Sequence, residues 1–195
     1  MGCDMDLYIE KRTPGGSWVQ VEDFPDIYSD QNYNLFAILA GIRNEHGLES
    51  IDFPRGVPSN VSHTVGQLSR KYPGYHSHSH FTVKQLCEYD WNKQHAIHGF
   101  VSVDGYKYFK EHGHPVSYSR DVHGDKVEFI TNDEMDALIK DTSFDSAKSY
   151  YTNIQWQMSY ADLAGSFHHP FLSRLQELAG DDKESVRIIF WFDGY

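Results

Sequence analysis

Val186-Arg187-Ile188-Ile189-Phe190-Trp191-Phe192 is apolar on both of its alternating faces, apart from Arg187. A strand with no side for water belongs in the middle of a sheet covered above and below. The rest of the fold is read outward from it. Residues 4–11 alternate, with Met5, Leu7 and Ile9 on one side and Asp4, Asp6, Tyr8 and Glu10 on the other. That pattern predicts a half-buried strand. Thr13-Pro14-Gly15-Gly16-Ser17 then turns the chain into a second strand over 18–22,. Further strands are predicted over 98–103 and 150–158. A hairpin is expected from 116–120 and 126–130 around His123-Gly124-Asp125.

The clearest helix spans 32–43, with Leu35, Phe36, Leu39 and Ile42 as its stripe and Asp30 or Asn32 as its cap,. Shorter helices are expected from Ser62 to Tyr72, over 106–111, and over 133–140 after a capping Asn132. A helix over 161–179 is interrupted near His168-His169-Pro170. Strands and helices mix without strict alternation. The expected class is therefore α+β: one domain, residues 1–195, with helices packed on a mixed or antiparallel sheet that includes the N- and C-terminal strands.

Composition narrows the partners. Seventeen basic against twenty-eight acidic residues leave a net charge of −11, which disfavours duplex nucleic acid, because phosphate binding needs clustered Lys and Arg. No apolar run reaches membrane-spanning length. Cys3 and Cys87 are too few for a disulfide framework,. Met1-Gly2-Cys3 is followed by Asp6 where myristoylation requires Ser or Thr,. These features predict a cytoplasmic protein with no membrane partner. Abundant Tyr, Phe and Trp predict an aromatic core and rings available to stack on a planar ligand.

Tyr75-His76-Ser77-His78-Ser79-His80-Phe81-Thr82 is the densest chemistry in the chain. In an extended segment His76, His78 and His80 would share one face, with Ser77 and Ser79 on the other. The segment leads into a helix whose start, Thr82-Val83-Lys84-Gln85, has capping-box spacing,, and helix N-termini attract anions. The plainer alternative is a solvated histidine face. Arg55 lies between Pro54 and Gly56, which stiffen its backbone, and a guanidinium reads phosphate by two parallel hydrogen bonds,. Its alternative is a surface ion pair. The predicted ligand-binding set is Arg55, His76, Ser77, His78, Ser79, Tyr8, Tyr89, Trp91 and Arg43, with the aromatics alternatively core. Arg187, inside an apolar strand, is expected to pair with Asp193 or Glu10. Asp4, Asp6, His76 and His78 are the candidate ligands for a divalent metal such as Zn or Mn. Cys3 is more readily an inert buried thiol than a nucleophile.

Several stretches together resemble a family of bacteriophage and prophage proteins. They are Met1-Gly2-Cys3-Asp4 with Leu7-Tyr8-Ile9-Glu10, the helix Asn32 to Ala40, Pro54-Arg55-Gly56, and His76-Ser77-His78-Ser79. Tyr89-Asp90-Trp91, Asn132 to Asp136 and Phe190-Trp191-Phe192-Asp193 complete them. The resemblance covers nearly the whole chain. Relatives usually carry His where this chain has Asp6, which weakens a metal role there. The resemblance implies action in the phage–host conflict, in host cytoplasm, by capturing or destroying a nucleotide-derived defence signal. Two readings follow. One is a binding protein for such a small molecule, commonly a symmetric homo-oligomer. The other is a phosphodiesterase-like hydrolase with His76 and His78 as acid and base or as metal ligands. An acidic surface imitating nucleic acid ranks behind both, because the acids are scattered.

Overall fold

The structure is a computed structural model that describes residues 2–24, 28–140 and 147–194. It is α+β, and it divides into two compact units, Met1–Lys93 with Ser159–Tyr195, and Gln94–Met158.

The first unit is organised by its last strand, as the apolar run requires. In chain order its elements are β1 (Asp4–Arg12), β2 (Trp18–Gln20), α1 (Tyr33–Ala40), α2 (His63–Leu68), β3 (His76–Thr82) and α3 (Val83–Glu88). The second unit then intervenes with β4 (Gln94–Ser102), α4 (Val103–His112), β5 (Val127–Phe129), α5 (Asn132–Leu138) and β6 (Ser149–Ser159). The chain returns through α6 (Tyr160–Ala164), a 3₁₀ turn, α7 (Phe171–Ala179) and β7 (Val186–Asp193). The four-stranded sheet has the order β2-β1-β7-β3, and each neighbouring pair is antiparallel. So β7 is central, between the N-terminal strand and the histidine strand. Its residues from Val186 to Phe192 are all buried.

Ile188, Phe190 and Phe192 face one way. Phe192 meets Phe36 of α1 at 5.1 Å between ring centroids, and Phe190 meets Phe81 at 5.9 Å. Ile189 and Trp191 face the other way, packed with Val65 of α2 and with Tyr8, Val61, Leu68 and Tyr75. Each large apolar side chain fully removed from water contributes roughly 2 kcal/mol, so covering both faces of β7 anchors this unit. Helix α1 stops at Gly41 (φ 71°), whose amide donates to Ala37 and Phe36 carbonyls. The sequence stripe carried it on to 43; the left-handed glycine ends it earlier.

In the second unit β6 lies between β4 and β5. The expected hairpin of 116–120 with 126–130 does not form. Val127–Phe129 pairs in parallel with Ser149–Tyr151 instead, and Ser119 makes an isolated bridge to Phe100. The alternating residues of 126–130 suit either partner, so local pattern did not choose between them. Thr131 caps α5, with Glu134 reaching back to close a capping box, where Asn132 was expected,. Among the described residues, no helix is long and apolar enough to cross a membrane.

Candidate functional site

The histidine run forms β3, but a bulge divides it. His76 lies opposite Phe192, whereas Ser79, His80 and Phe81 lie opposite Phe190, Ile189 and Ile188, one residue out of step. Ser77 takes the positive φ (52°) at the break,. Opposed residues share a sheet face, so His76 joins the Phe192 side. His78 packs on Trp191 (5.4 Å between centroids) and His80 joins the Ile189 side. The single histidine face expected from strict alternation is thus split.

The metal expectation fails for the same reason. His76 Nε2 donates to the Gly194 carbonyl at 3.0 Å, and His78 Nε2 to the Ser69 carbonyl at 3.0 Å. Asp6 accepts the Trp191 indole N–H at 3.0 Å, and Asp4 accepts from Gln31 at 2.8 Å. Their polar atoms are each engaged by a separate protein donor or acceptor, and His76 lies on the opposite sheet face from Asp6 and His78. Among the described residues no group of three or more His, Cys, Asp or Glu is placed to hold a metal ion. Asp4, Asp6, His76 and His78 are not a Zn or Mn site.

The remaining predicted residues scatter. Tyr8 stacks on Trp191 at 4.9 Å. Trp91 is buried, its indole N–H on the Leu86 carbonyl at 2.6 Å. Tyr89 packs edge-on against it, with burial holding its hydroxyl pKa well above the ordinary range. Arg43 lies over Tyr33, 6.0 Å from the ring centre, and interacts with the Cys3 thiol. That thiol is buried and its pKa is raised by desolvation, as an inert cysteine requires.

Arg55 keeps a site around it. The groove beside it has a volume of about 560 Å³, and Arg55, His80, Thr82, Lys84, Gln85 and Arg187 contribute to its walls. The loop carrying Arg55 is stitched to β3. Arg55 N–H donates to Ser79 Oγ at 3.3 Å, and Gly56 N–H to the His78 carbonyl at 2.8 Å. The guanidinium sits 4.6 Å above the buried Phe81 ring, a favourable cation–π placement. Its Nε donates to Asp52 at 2.7 Å and its Nη1 to Gln85 Oε1 at 3.2 Å and the His80 carbonyl at 3.4 Å. Nη2 has no protein partner among the described residues.

Gln85 is fixed in turn. Its Oε1 accepts from the Thr82 amide at 3.0 Å as half of the capping box. That orients the side-chain NH₂ away from the cap, again with no partner among the described residues. His80 donates from Nδ1 to the Gly56 carbonyl at 3.1 Å. The carbonyl can only accept, so the neutral ring carries its lone pair on Nε2. Burial pushes the His80 pKa below its ordinary value, with Arg187 and Arg55 adding to the effect against the Gly56 carbonyl. The residues lining the groove therefore include two side chains with an unpartnered donor among the described residues and one neutral acceptor.

One expectation needs correction here. The Lys84 and Gln85 amides at the start of α3 are not open to an anion, because they already donate to the Lys183 carbonyl and Thr82 Oγ1. Nor does the groove carry a strong positive field. Lys84 pairs with Glu184 at 2.9 Å, and Arg187 is neutralised by the buried Glu10 at 2.7 Å. Of the two partners expected for Arg187, Glu10 is the one found. Sequence reading missed His80, Gln85 and Lys84 as groove residues. Lys84 and Gln85 lie in the capping-box stretch, which reads in sequence as an anion-attracting helix start, and His80 reads with the histidine run and not with Arg55. A separate cavity of about 310 Å³, lined in part by Tyr28, Asp30, Ser166 and Arg174, contains none of the predicted side chains.

No protein-family model matches this chain, and neither a curated protein nor a solved structure matches it at a significant level.

Proposed function

We propose that the Arg55 groove binds a small anionic, phosphate-bearing ligand, and that the protein captures such a molecule from solution. The observation that carries this reading is the state of Arg55. Its guanidinium is immobilised by Asp52, Gln85 and Phe81, yet keeps an open Nη2 donor at the wall of a groove. Fixing a cation in advance lowers the entropy lost on binding. Gln85 adds a second donor for a phosphoryl oxygen, and His80 Nε2 an acceptor for a ligand hydroxyl. Because the neighbouring charges are paired, selectivity rests on directed hydrogen bonds. In the phage setting that the sequence resemblance implies, the ligand would be a nucleotide-derived signal, and binding would withhold it from its receptor.

One observation favours hydrolysis as a second reading. His80 is a neutral imidazole of fixed tautomer beside a guanidinium, which is the arrangement a general base needs next to a charge-stabilising group. Hydrolysis would then run through His80, not through His76 or His78.

The test is to incubate the protein with nucleotides, cyclic oligonucleotides and ADP-ribose derivatives, collect the protein by filtration, denature it and identify what is released. Capture predicts an intact compound at protein stoichiometry, lost in Arg55→Gln. Products in the filtrate, absent with His80→Gln, would establish the hydrolase. If every compound passes through unchanged, both readings are wrong.

A further inference from the structure

Phe53 is 81% exposed, more than any other large apolar side chain described. It does not sit on a loose loop. The Asp52 carboxylate holds it on both sides, with Oδ1 accepting the Phe53 amide at 2.8 Å and Oδ2 accepting Arg55 Nε at 2.7 Å. Pro54 lies between them, and the Arg55 and Gly56 amides are tied to β3. One carboxylate therefore fixes both the backbone that presents the ring and the guanidinium that faces the groove. The two Cα atoms are at most about 7 Å apart, a span that a molecule the size of a nucleoside phosphate can bridge.

From this pairing we infer that Phe53 is the stacking contact for a planar ring in the ligand whose anionic group is held by Arg55. The inference rests on the proposed anion-binding role of the groove and narrows its ligand to a phosphorylated molecule carrying a flat heterocycle, such as a nucleoside phosphate. Two features support that occupant. No Phe, Tyr or Trp side chain is among the groove's lining residues, and the exposed Phe53 is two residues from Arg55, which is among them. An aromatic side chain also has few rotatable bonds, so a ring on a fixed backbone loses little entropy when it is covered. Base stacking on such a ring is sequence-tolerant and is worth about a tenfold change in affinity or more.

The experiment compares three probes by titration calorimetry: adenosine monophosphate, ribose 5-phosphate and inorganic phosphate. They are titrated into the wild-type protein, Phe53→Ala, Phe53→Trp and Arg55→Gln, with folding verified by circular dichroism. The wild type is expected to bind adenosine monophosphate about tenfold tighter than ribose 5-phosphate. Phe53→Ala should erase that difference while leaving ribose 5-phosphate binding unchanged, and Phe53→Trp should keep it. Arg55→Gln should weaken all three. If Phe53→Ala retains the preference for the nucleotide, or the wild type shows none, the stacking role is overturned while the Arg55 groove stands. If no probe binds, or Arg55→Gln changes nothing, the groove reading falls and the inference falls with it.

Discussion

Arg187 and Arg55 both line the groove, and each pairs with a carboxylate, but they do different work. The Arg187–Glu10 pair has side chains only 5% and 0% exposed, and the Arg55–Asp52 pair 27% and 43%. Arg187 gives Nε and Nη2 to one Glu10 oxygen and donates further to Asn60, while its guanidinium lies 3.9 Å from the Trp18 ring centre. The other Glu10 oxygen accepts the Ser62 amide at the start of α2. That pair ties β1, β7, β2 and the α2 entry together. Arg55 is also held by several groups, but they leave one edge of its fork open. A guanidinium is thus structural when protein acceptors surround it, and available to a ligand when they stop short.

Breaking the buried pair should have the largest effect. Glu10→Gln leaves an uncompensated guanidinium in the interior and is expected to cost about 3–5 kcal/mol, read as a lower denaturant midpoint. Arg187→Met with Glu10→Leu should recover most of that loss, since apolar replacement of both partners removes the stranded charge. If the double variant is no better than the single one, the pair is doing more than neutralising itself.

Arg55→Gln should behave in the opposite way. Its ion pair is solvent-screened, so stability should fall by less than about 1 kcal/mol while phosphate-probe binding is lost. A large drop in stability would make Arg55 a second Arg187 and remove its separate role.

His80 gives a pH test between these extremes. Its folded pKa lies below the ordinary 6.5, chiefly through burial. The unfolded chain therefore takes up the proton first as pH falls. Stability should be full above about pH 6.5 and decline below it toward the folded pKa, by no more than about 1.4 kcal/mol per pH unit. His80→Gln should flatten that part of the stability profile. An unchanged profile would show that His80 is solvated and not held as described.

The smallest effect is expected at His76. It lies beyond the bulge on the other sheet face, with Nε2 on the Gly194 carbonyl. His76→Ala should leave phosphate-probe affinity within about twofold, well under the tenfold that 1.4 kcal/mol represents. A loss comparable to that of Arg55→Gln would mean that the bulge does not separate the two ends of β3.

The amino-acid sequence by itself determined the frame. An apolar run with no polar side had to be central, and alternation in residues 4–11 had to give a half-buried neighbour. Thr82 and Gln85 had to start a helix, because these are local consequences of side-chain period and backbone donors. Arg55 between Pro54 and Gly56 was legible for the same reason. What only the tertiary structure decided was which side chains met. A one-residue bulge at Ser77 reversed the direction of His76, and nothing in His-Ser-His-Ser marks where alternation breaks. Glu10 could not be distinguished from Asp193 as the partner of Arg187 until register set Glu10 opposite Arg187 and Asp4 opposite Asp193. The parallel partner of β5 lay some twenty residues away. Spacing along the chain sets which face a residue occupies; the register of distant strands sets what stands in front of it.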